Sequence, residues 1–398
     1  QDWLRPQFFR LSWKVLALTV MCPGPAENVK AQKVQVFNGL TSDLSSVRKE
    51  YHFKTPVLSD LLLGMIRDPR DEPMVHLMLN LATYLVLGVP TVYAVNLLGC
   101  SGSVRHAVGV GYVVCLALGF LERFILMMHY SSHRSMFKSE FAQLNGLFVW
   151  CYAPFMGVPV GTYHLHHVVM HHIENNHGMD ISATDTYQRD SLSAFFNYWF
   201  HFLFGIWVEL PMYCIKSKRY QWVGKLSCGL VFYIGGAFLL ARCVSFAATM
   251  YVFGVPYIIT MSAMAFGNFS QHMFVDPDNS RSNYHLTYSC IDCPGNKTSF
   301  NDGYHVIHHA NARLHWSELP QEFIRTQDKH MDSITFRGIH FFDVGLMVMS
   351  GNLQKLVEKH YVYLGSAETA PTVEETVKKL RRWLQPVPQE PLKAKKAE

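Results

Sequence analysis

Long apolar runs alternate with long polar segments along the 398 residues of this chain. The first run, 75–98, carries no formal charge, and the second begins at 107 and continues past Glu122 and Arg123 to 128. The third and fourth runs, 226–241 and 245–265, are separated by only a few residues. Each run approaches or exceeds the roughly 20 residues that a bilayer-spanning helix needs. The pattern therefore predicts four transmembrane helices arranged as two hairpins.

Basic residues are distributed unevenly between the loops of this arrangement. The segment before the first span contains ten Lys or Arg residues, and the segment 129–225 contains seven. The hairpin loops 99–106 and 242–244 contain one each. Since loops rich in Lys and Arg stay on the cytosolic side, we expect the N-terminal segment, the middle segment and everything after residue 266 to share that side or its equivalent.

One further apolar stretch, 192–214, is rich in aromatic residues and long enough to cross. It also contains Asn197, His201 and Glu209, which are costly at the middle of a bilayer. A crossing here would place the later histidines on the opposite side from the earlier ones. We therefore predict an interfacial or re-entrant helix.

The outer parts of the chain are more polar than the central part. We predict an N-terminal basic region, 1–74, with interfacial helices at 8–21 and 57–66, a membrane domain at 75–325, and a C-terminal helical extension and tail at 326–398. A capping box at Thr372 and Glu375 opens an amphipathic helix in the extension. Its pattern suits a membrane surface, an acidic partner or ordinary packing on a protein core.

Composition supports a membrane protein and draws attention to histidine. Charged residues make up 16% of the chain, below the roughly 25% of soluble domains. The net charge of +5 is modest, and the Lys and Arg residues do not form a basic stripe along the sequence. We therefore expect no nucleic-acid partner. The 21 histidines are the strongest anomaly.

Four groups of histidines stand out, and the predicted topology places all of them on one side of the membrane. They are His129 and His133; His167, His171 and His172; His272, with Asn268 one turn before it; and His305, His308 and His309. His164 and His166 lie next to the second group without a required role. Buried imidazoles need partners for two nitrogens each, and the usual reason for clustering them is a transition metal. Nine are too many for one metal and about right for two.

The pattern narrows the choice of metal. A zinc hydrolase helix reads HExxH, but the His129–His133 pair encloses no Glu. Carboxylate-bridged di-iron bundles need two ExxH motifs, and only Glu174 to His177 fits. Copper would favour Met or Cys among the ligands, and the first and third boxes, 129–133 and 305–309, contain neither. An all-histidine pair of irons remains, and O2 activation for attack on an unactivated C–H bond is its expected use.

The histidine boxes resemble those of the integral-membrane fatty acid desaturase and hydroxylase superfamily, which also includes alkane monooxygenases. The resemblance covers about 75–325 and implies an all-α membrane protein. Its four transmembrane helices form two hairpins, capped by a helical cytosolic-side domain that holds a di-iron site. It also implies that the nine clustered histidines bind two iron ions and that Asn268 reaches iron through water. The second box departs from the pattern, because it reads HxxxHH where many acyl desaturases have HxxHH.

The resemblance also implies partners. The substrate would be a membrane lipid or an acyl-CoA, and O2 would be the co-substrate. The chain has no His-Pro-Gly-Gly haem signature, so electrons would come from an external donor of the cytochrome b5 type or from a ferredoxin. We therefore predict a fatty acyl desaturase that introduces a C=C bond using O2 and two electrons.

Two other functions and three locations remain open at this point. A lipid hydroxylase could use the same scaffold, and an accessory or structural subunit of a larger membrane complex belongs to another class. Lys395 and Lys396 resemble a dilysine retrieval signal, which favours the endoplasmic reticulum membrane. The mitochondrial inner membrane and a plastid membrane are the alternatives.

Overall fold

The computed structural model describes residues 41–44, 56–365 and 367–388. The interfacial helix predicted at 8–21 and the lysine pair at 395–396 lie outside the described residues. Within them the chain is mostly helical, with one short parallel sheet in which β1, Ser289–Ile291, pairs with β2, Thr335–Arg337. The prediction of an all-α membrane protein is confirmed.

The α-helices of more than five residues are numbered here in chain order. They are α1 Pro56–Leu63, α2 Glu72–Leu97, α3 Gly102–Cys115, α4 Leu121–His133, α5 Leu192–Lys216, α6 Tyr220–Cys243, α7 Val255–Gln271, α8 His305–Ala310, α9 Leu319–Arg325, α10 Phe341–Met349, α11 Leu353–His360 and α12 Val373–Trp383. Shorter α-helices cover Thr41–Leu44, Thr162–His164, His172–Glu174 and Phe246–Thr249. Single π-helical turns cover Leu116–Phe120, Phe148–Tyr152, Leu165–His171 and Met250–Gly254. The 3₁₀ turns are Pro69–Asp71, Ser139–Asn145, Ala153–Met156, Pro294–Lys297, Trp316–Glu318, Gln327–Lys329 and Ala367–Thr369.

Four helical stretches are long and apolar enough to span a membrane. They are Pro69–Leu97, Gly102–His133, Tyr220–Cys243 and Phe246–Gln271. The second consists of α3 and α4 joined by a π-helical turn, and the fourth ends with α7. Serine N-caps start the returning helix of each hairpin, since Ser101 Oγ accepts from Val104 N and Ser245 Oγ accepts from Ala248 N. The four predicted spans are present, and each is longer than the apolar run that predicted it.

The two hairpin turns lie at the same end of the bundle. Near that end, Tyr93 OH and Thr249 Oγ1 are 2.9 Å apart, and His106 Nδ1 and Tyr251 OH are 2.7 Å apart. These contacts join the first hairpin to the start of the fourth span. The opposite ends of α4 and α7 carry His133 and His272, so the histidine boxes gather at the end away from the turns.

Helix α5 is not among the four candidate spans of the described residues, as predicted for 192–214. It packs along α7, where Trp199 Nε1 donates to Ser262 Oγ at 2.8 Å and Trp207 Nε1 donates to Tyr257 OH at 2.7 Å. Its outer face exposes a run of apolar side chains: Leu192, Phe196, Phe200, Phe204, Val208, Met212 and Ile215. Such a face suits contact with lipid at the membrane interface.

The C-terminal helix α12 has the predicted capping box, formed by Thr372 and Glu375. Val377, Leu380 and Trp383 on its apolar face are buried against the rest of the protein. Ordinary packing therefore accounts for the apolar face of this helix, because the face that would enter a membrane is already covered.

This arrangement predicts the sidedness of single cysteines. In a background without other cysteines, Cys100 and Cys243 at the hairpin turns should react with a membrane-impermeant thiol reagent from the same side of sealed vesicles. Ser350→Cys, in the exposed loop after α10, should react from the opposite side, because α10 packs beside the histidine end of α7. Equal labelling of Cys100 and Ser350→Cys from one side would contradict the topology.

Candidate metal centre

Four separate elements bring the histidine boxes together. His129 and His133 lie one turn apart on α4, at its C-terminal end. The second box lies in the π-helical turn Leu165–His171 and the residue after it. His272 follows α7 directly, and the third box forms most of α8. Eight of the nine predicted ligands fall into two groups, within each of which the ring nitrogens lie within 4.8 Å of one another.

The larger group consists of His129, His133, His167, His172 and His308. Four of its Nε2–Nε2 distances are short: 2.7 Å for His129–His308, 3.0 Å for His133–His167, and 3.1 Å for both His167–His172 and His172–His308. Metal–imidazole bonds of about 2.1 Å place neighbouring ligand nitrogens about 3 Å apart. The five nitrogens thus have the spacing that one shared cation would impose.

The smaller group consists of His171, His272 and His309, all buried. His171 Nδ1 donates to Asp180 Oδ2 at 2.6 Å, and His272 Nδ1 donates to the Leu286 carbonyl at 3.0 Å. Each bond fixes the tautomer whose Nε2 is free to bind a metal. His272 Nε2 and both nitrogens of His309 are buried without a hydrogen-bond partner among the described residues. An unpaired buried polar atom costs about 1–3 kcal/mol, so these orphaned atoms fit a bound cation.

His305 lies between the two groups and outside both by distance. Its ring centroid is 4.8 Å from that of His309 and 5.3 Å from that of His272. Its Nδ1 lies 3.1 Å from Gln271 Nε2 and 3.8 Å from Asp302 Oδ1. Asp302 Oδ1 also lies 3.5 Å from His129 Nδ1. The ligand role of His305 stays a prediction.

Asn268 lies close to the histidines and lines the same cavity as His129, His167, His171 and His305. Its amide nitrogen donates to the Ser182 carbonyl and to Tyr198 OH, each at 2.9 Å. These bonds orient the side chain and leave its carbonyl oxygen as the atom that could accept from a water. Its predicted contact with iron through water also stays a prediction.

The unusual spacing of the second box has a structural explanation. A π-helical turn closes hydrogen bonds from residue i to i+5 and therefore accommodates one residue more than an α-helical turn. The turn Leu165–His171 accommodates this additional residue within HxxxHH, so His167 joins the same histidine group as His172. His164 instead packs on Trp222, with ring centroids 5.5 Å apart. Of His164, His166 and His167, therefore, only His167 joins a histidine group.

His166 faces the cavity described below rather than either histidine group. Its Nε2 is buried without a hydrogen-bond partner among the described residues, and its ring meets the edge of Phe202 at 5.4 Å. Burial lowers the pKa of His166 to about 4, so the ring is neutral at physiological pH.

Burial also controls the charge of the clustered histidines. Burial and repulsion from neighbouring imidazoles hold the pKa values of His167, His172, His272, His308 and His309 well below the ordinary value. A neutral imidazole is the form that binds metal. Burial opposes ionisation of Asp180, but His171 and Ser182 outweigh it and lower the pKa of this carboxyl. The site therefore combines neutral ligands with a nearby negative charge.

A cavity of about 380 Å³ leads away from the histidines between α4 and α7, with the start of α10 over it. His129, His167, His171 and His305 line its inner end. Apolar side chains line most of the remainder, among them Leu121, Ile125, Leu126, Phe202 and Met264. A linear apolar chain placed here would have one of its carbons beside the histidines.

The sequence reasoning missed several residues that hold the ligands. Asp180, Gln271 and Asp302 are not among the site residues predicted from the sequence. Asp302 lies three residues before His305, and this proximity to the box was the available signal. Asp180 gave no such signal, since its position follows from the path of the loop after the second box.

Comparison with known proteins supports the same interpretation. A family model described as fatty acid desaturase matches residues 107–334, which include all four histidine groups. Searches of curated proteins and of solved structures gave no significant match.

Asp180→Asn should weaken metal binding about 10–100-fold, because the neutral amide orients His171 but no longer raises its basicity. Titration of Fe(II) against a competing chelator measures this affinity. Asp278→Asn is the matched control, since Asp278 pairs with Arg382 on the surface. Equal affinity in both variants would show that Asp180 does not support the site.

Proposed function

Because the chain belongs to the fatty acid desaturase family, whose members are membrane-bound oxidoreductases, we propose that it is a di-iron desaturase of fatty acyl chains. The substrate is an acyl chain of a membrane lipid or of an acyl-CoA, and the product carries a new C=C bond. Two hydrogen atoms leave neighbouring carbons. Together with two electrons and two protons they reduce O2 to two water molecules. An external donor of the cytochrome b5 or ferredoxin type supplies the electrons.

One observation carries this proposal: two adjacent histidine groups lie at the inner end of an apolar cavity between two spanning helices. Hydrolysis would need water at the reacting atoms, whereas this cavity is lined mainly by side chains that exclude water. The four spans provide direct access from a bilayer, where long acyl chains are concentrated.

The proposed roles of the residues follow from their positions. The histidines fit two metal ions, and bound iron would supply the chemistry that removes hydrogen from an unactivated C–H bond. Asp180 and the Leu286 carbonyl hold His171 and His272 in the ligating tautomer. Ile125, Leu126 and Phe202 confine the chain and keep water away from it. Asn268 and Gln271 are polar groups at the boundary between the cavity and the histidines.

Reconstitution with iron, an electron-donor system and lipids that carry deuterated octadecanoyl chains tests the proposal. Mass spectrometry of the released chains should show a loss of two deuterium atoms and a new double bond. His308→Ala should abolish this product, because His308 Nε2 lies close to both His129 and His172. His360→Ala is the control, since His360 contacts only the Arg337 carbonyl among the hydrogen bonds of the described region.

The product also separates the alternatives. A hydroxylated chain, with loss of one deuterium atom, would make the protein a hydroxylase on the same scaffold. Product that persists in His308→Ala would contradict the proposed site. A folded, iron-loaded protein that gives no product with any acyl lipid or acyl-CoA would favour a structural subunit of a membrane complex.

A further inference from the structure

Two polar side chains stand at the end of the cavity away from the histidines. Glu122, at the start of α4, and His340, just before α10, both line it. His340 Nε2 lies 3.3 Å from Glu122 Oε1. The residues between this pair and the metal centre are mostly apolar, so the cavity has two polar ends and an apolar middle. Binding of metal by the histidines gives Glu122 and His340 no role.

His340 presents a proton donor to the cavity. Its Nδ1 accepts from Phe342 N as the N-cap of α10, so the proton of the neutral ring is on Nε2. The ring is held against Phe341, with centroids 4.1 Å apart. Nε2 is buried and makes no hydrogen bond to any described residue, despite the nearby carboxylate. Nε2 can therefore donate to a ligand once the Glu122 carboxylate moves aside.

Glu122 complements this donor with an acceptor. Its side chain is 48% exposed and can shift to meet a ligand, whereas that of His340 is only 15% exposed. A group that both donates and accepts would bridge the two side chains by accepting from His340 Nε2 and donating to the Glu122 carboxylate. Hydroxyl and amide groups have this property, whereas phosphates and carboxylates do not at neutral pH.

The charges around the cavity also favour an uncharged polar group in the ligand. No lysine or arginine is among the described residues that line it, and Arg123, next to Glu122, is not in its wall. The carboxylates of Glu122 and Asp302 both line it. An anionic head group at this rim would be repelled by Glu122 and would find no cationic partner of fixed charge. An uncharged polar group meets neither obstacle.

The spacing suits a chain that joins the two ends. Glu122 precedes His129 by seven residues on one helix, which corresponds to about 10 Å along the axis. A ligand bound at the rim by its polar group would extend its alkyl chain past Ile125 and Leu126 to the histidines. The pair would thereby fix which carbon of the chain lies beside the metal centre.

We propose that Glu122 and His340 form a recognition site for the hydroxyl or amide group of an uncharged lipid. This inference rests on the proposed function and narrows its substrate class from acyl lipids and acyl-CoA to neutral lipids with such a group. It makes the two residues specificity-determining and leaves the histidines responsible for the reaction.

Binding of tritiated octadecanol to the full-length protein in lipid nanodiscs tests this proposal. Unlabelled octadecanol and octadecanamide should compete at concentrations about tenfold or more below octadecanoyl-CoA. Glu122→Leu and His340→Phe should each weaken octadecanol binding about tenfold. Glu122→Gln should retain most of it, because the amide still accepts a hydrogen bond. Glu358→Leu, on the exposed face of α11, is the matched control and should bind as the unchanged protein does.

Competition by octadecanoyl-CoA at least as strong as that by octadecanol would overturn the proposal, and this comparison needs no variant to fold. Unchanged octadecanol binding in both Glu122→Leu and His340→Phe would also overturn it. A preference for the alcohol over the amide, or the reverse, would identify which of the two groups is recognised. Iron content and desaturation are measured on the same samples. Selective binding without desaturation would therefore count against the proposed reaction while supporting the recognition site.

Discussion

The structure depends on one constraint: imidazoles from four places in the chain must converge in a buried site while remaining uncharged. Protonated rings at Nε2–Nε2 distances near 3 Å would repel one another, so the cluster requires either deep burial or a cation at its centre. The long helices satisfy this requirement by ending on the same side. Helix α5 matters for the same reason, because a fifth crossing would separate His272 and the third box from the first two.

Support for the cluster comes from charges and carbonyls that surround it. Asp180 and the Leu286 carbonyl each accept from a histidine of the smaller group, and Asp302 lies beside both His129 and His305. These contacts fix ring orientation before any metal binds, which reduces the cost of assembling the site. The same histidines line the inner end of the cavity, so a bound metal and a bound alkyl chain would lie next to each other. At its far end Glu122 and His340 provide the only other concentration of polar groups in its described wall.

Much of this could be predicted from the sequence, for identifiable reasons. Long uninterrupted apolar runs determine the spans, and the spacing within each histidine box is local. The polar residues of 192–214 argue against a crossing, because the cost of placing Glu209 at the middle of a bilayer does not depend on the surrounding fold. The amphipathic pattern of α12 left three interpretations open, since a protein core and a membrane surface select the same apolar face.

Other features depend on tertiary structure and gave no local signal. Glu122 and His340 meet because α10 packs beside α7, and nothing near either residue indicates the pairing. The π-helical turn at Leu165–His171 decides that His167 joins the cluster and His164 does not, although both precede His171 at plausible distances. The division of eight histidines into groups of five and three could not be read from the boxes, since the second and third boxes each contribute to both groups.

Metal content per chain tests the central claim most directly. The protein is purified gently, loaded anaerobically with Fe(II), freed of excess metal and analysed by mass spectrometry calibrated to protein concentration. Two iron ions per chain are the predicted result, one for each histidine group. A folded, monodisperse protein that retains no iron under these conditions would contradict the account, because its buried imidazoles would then need another explanation.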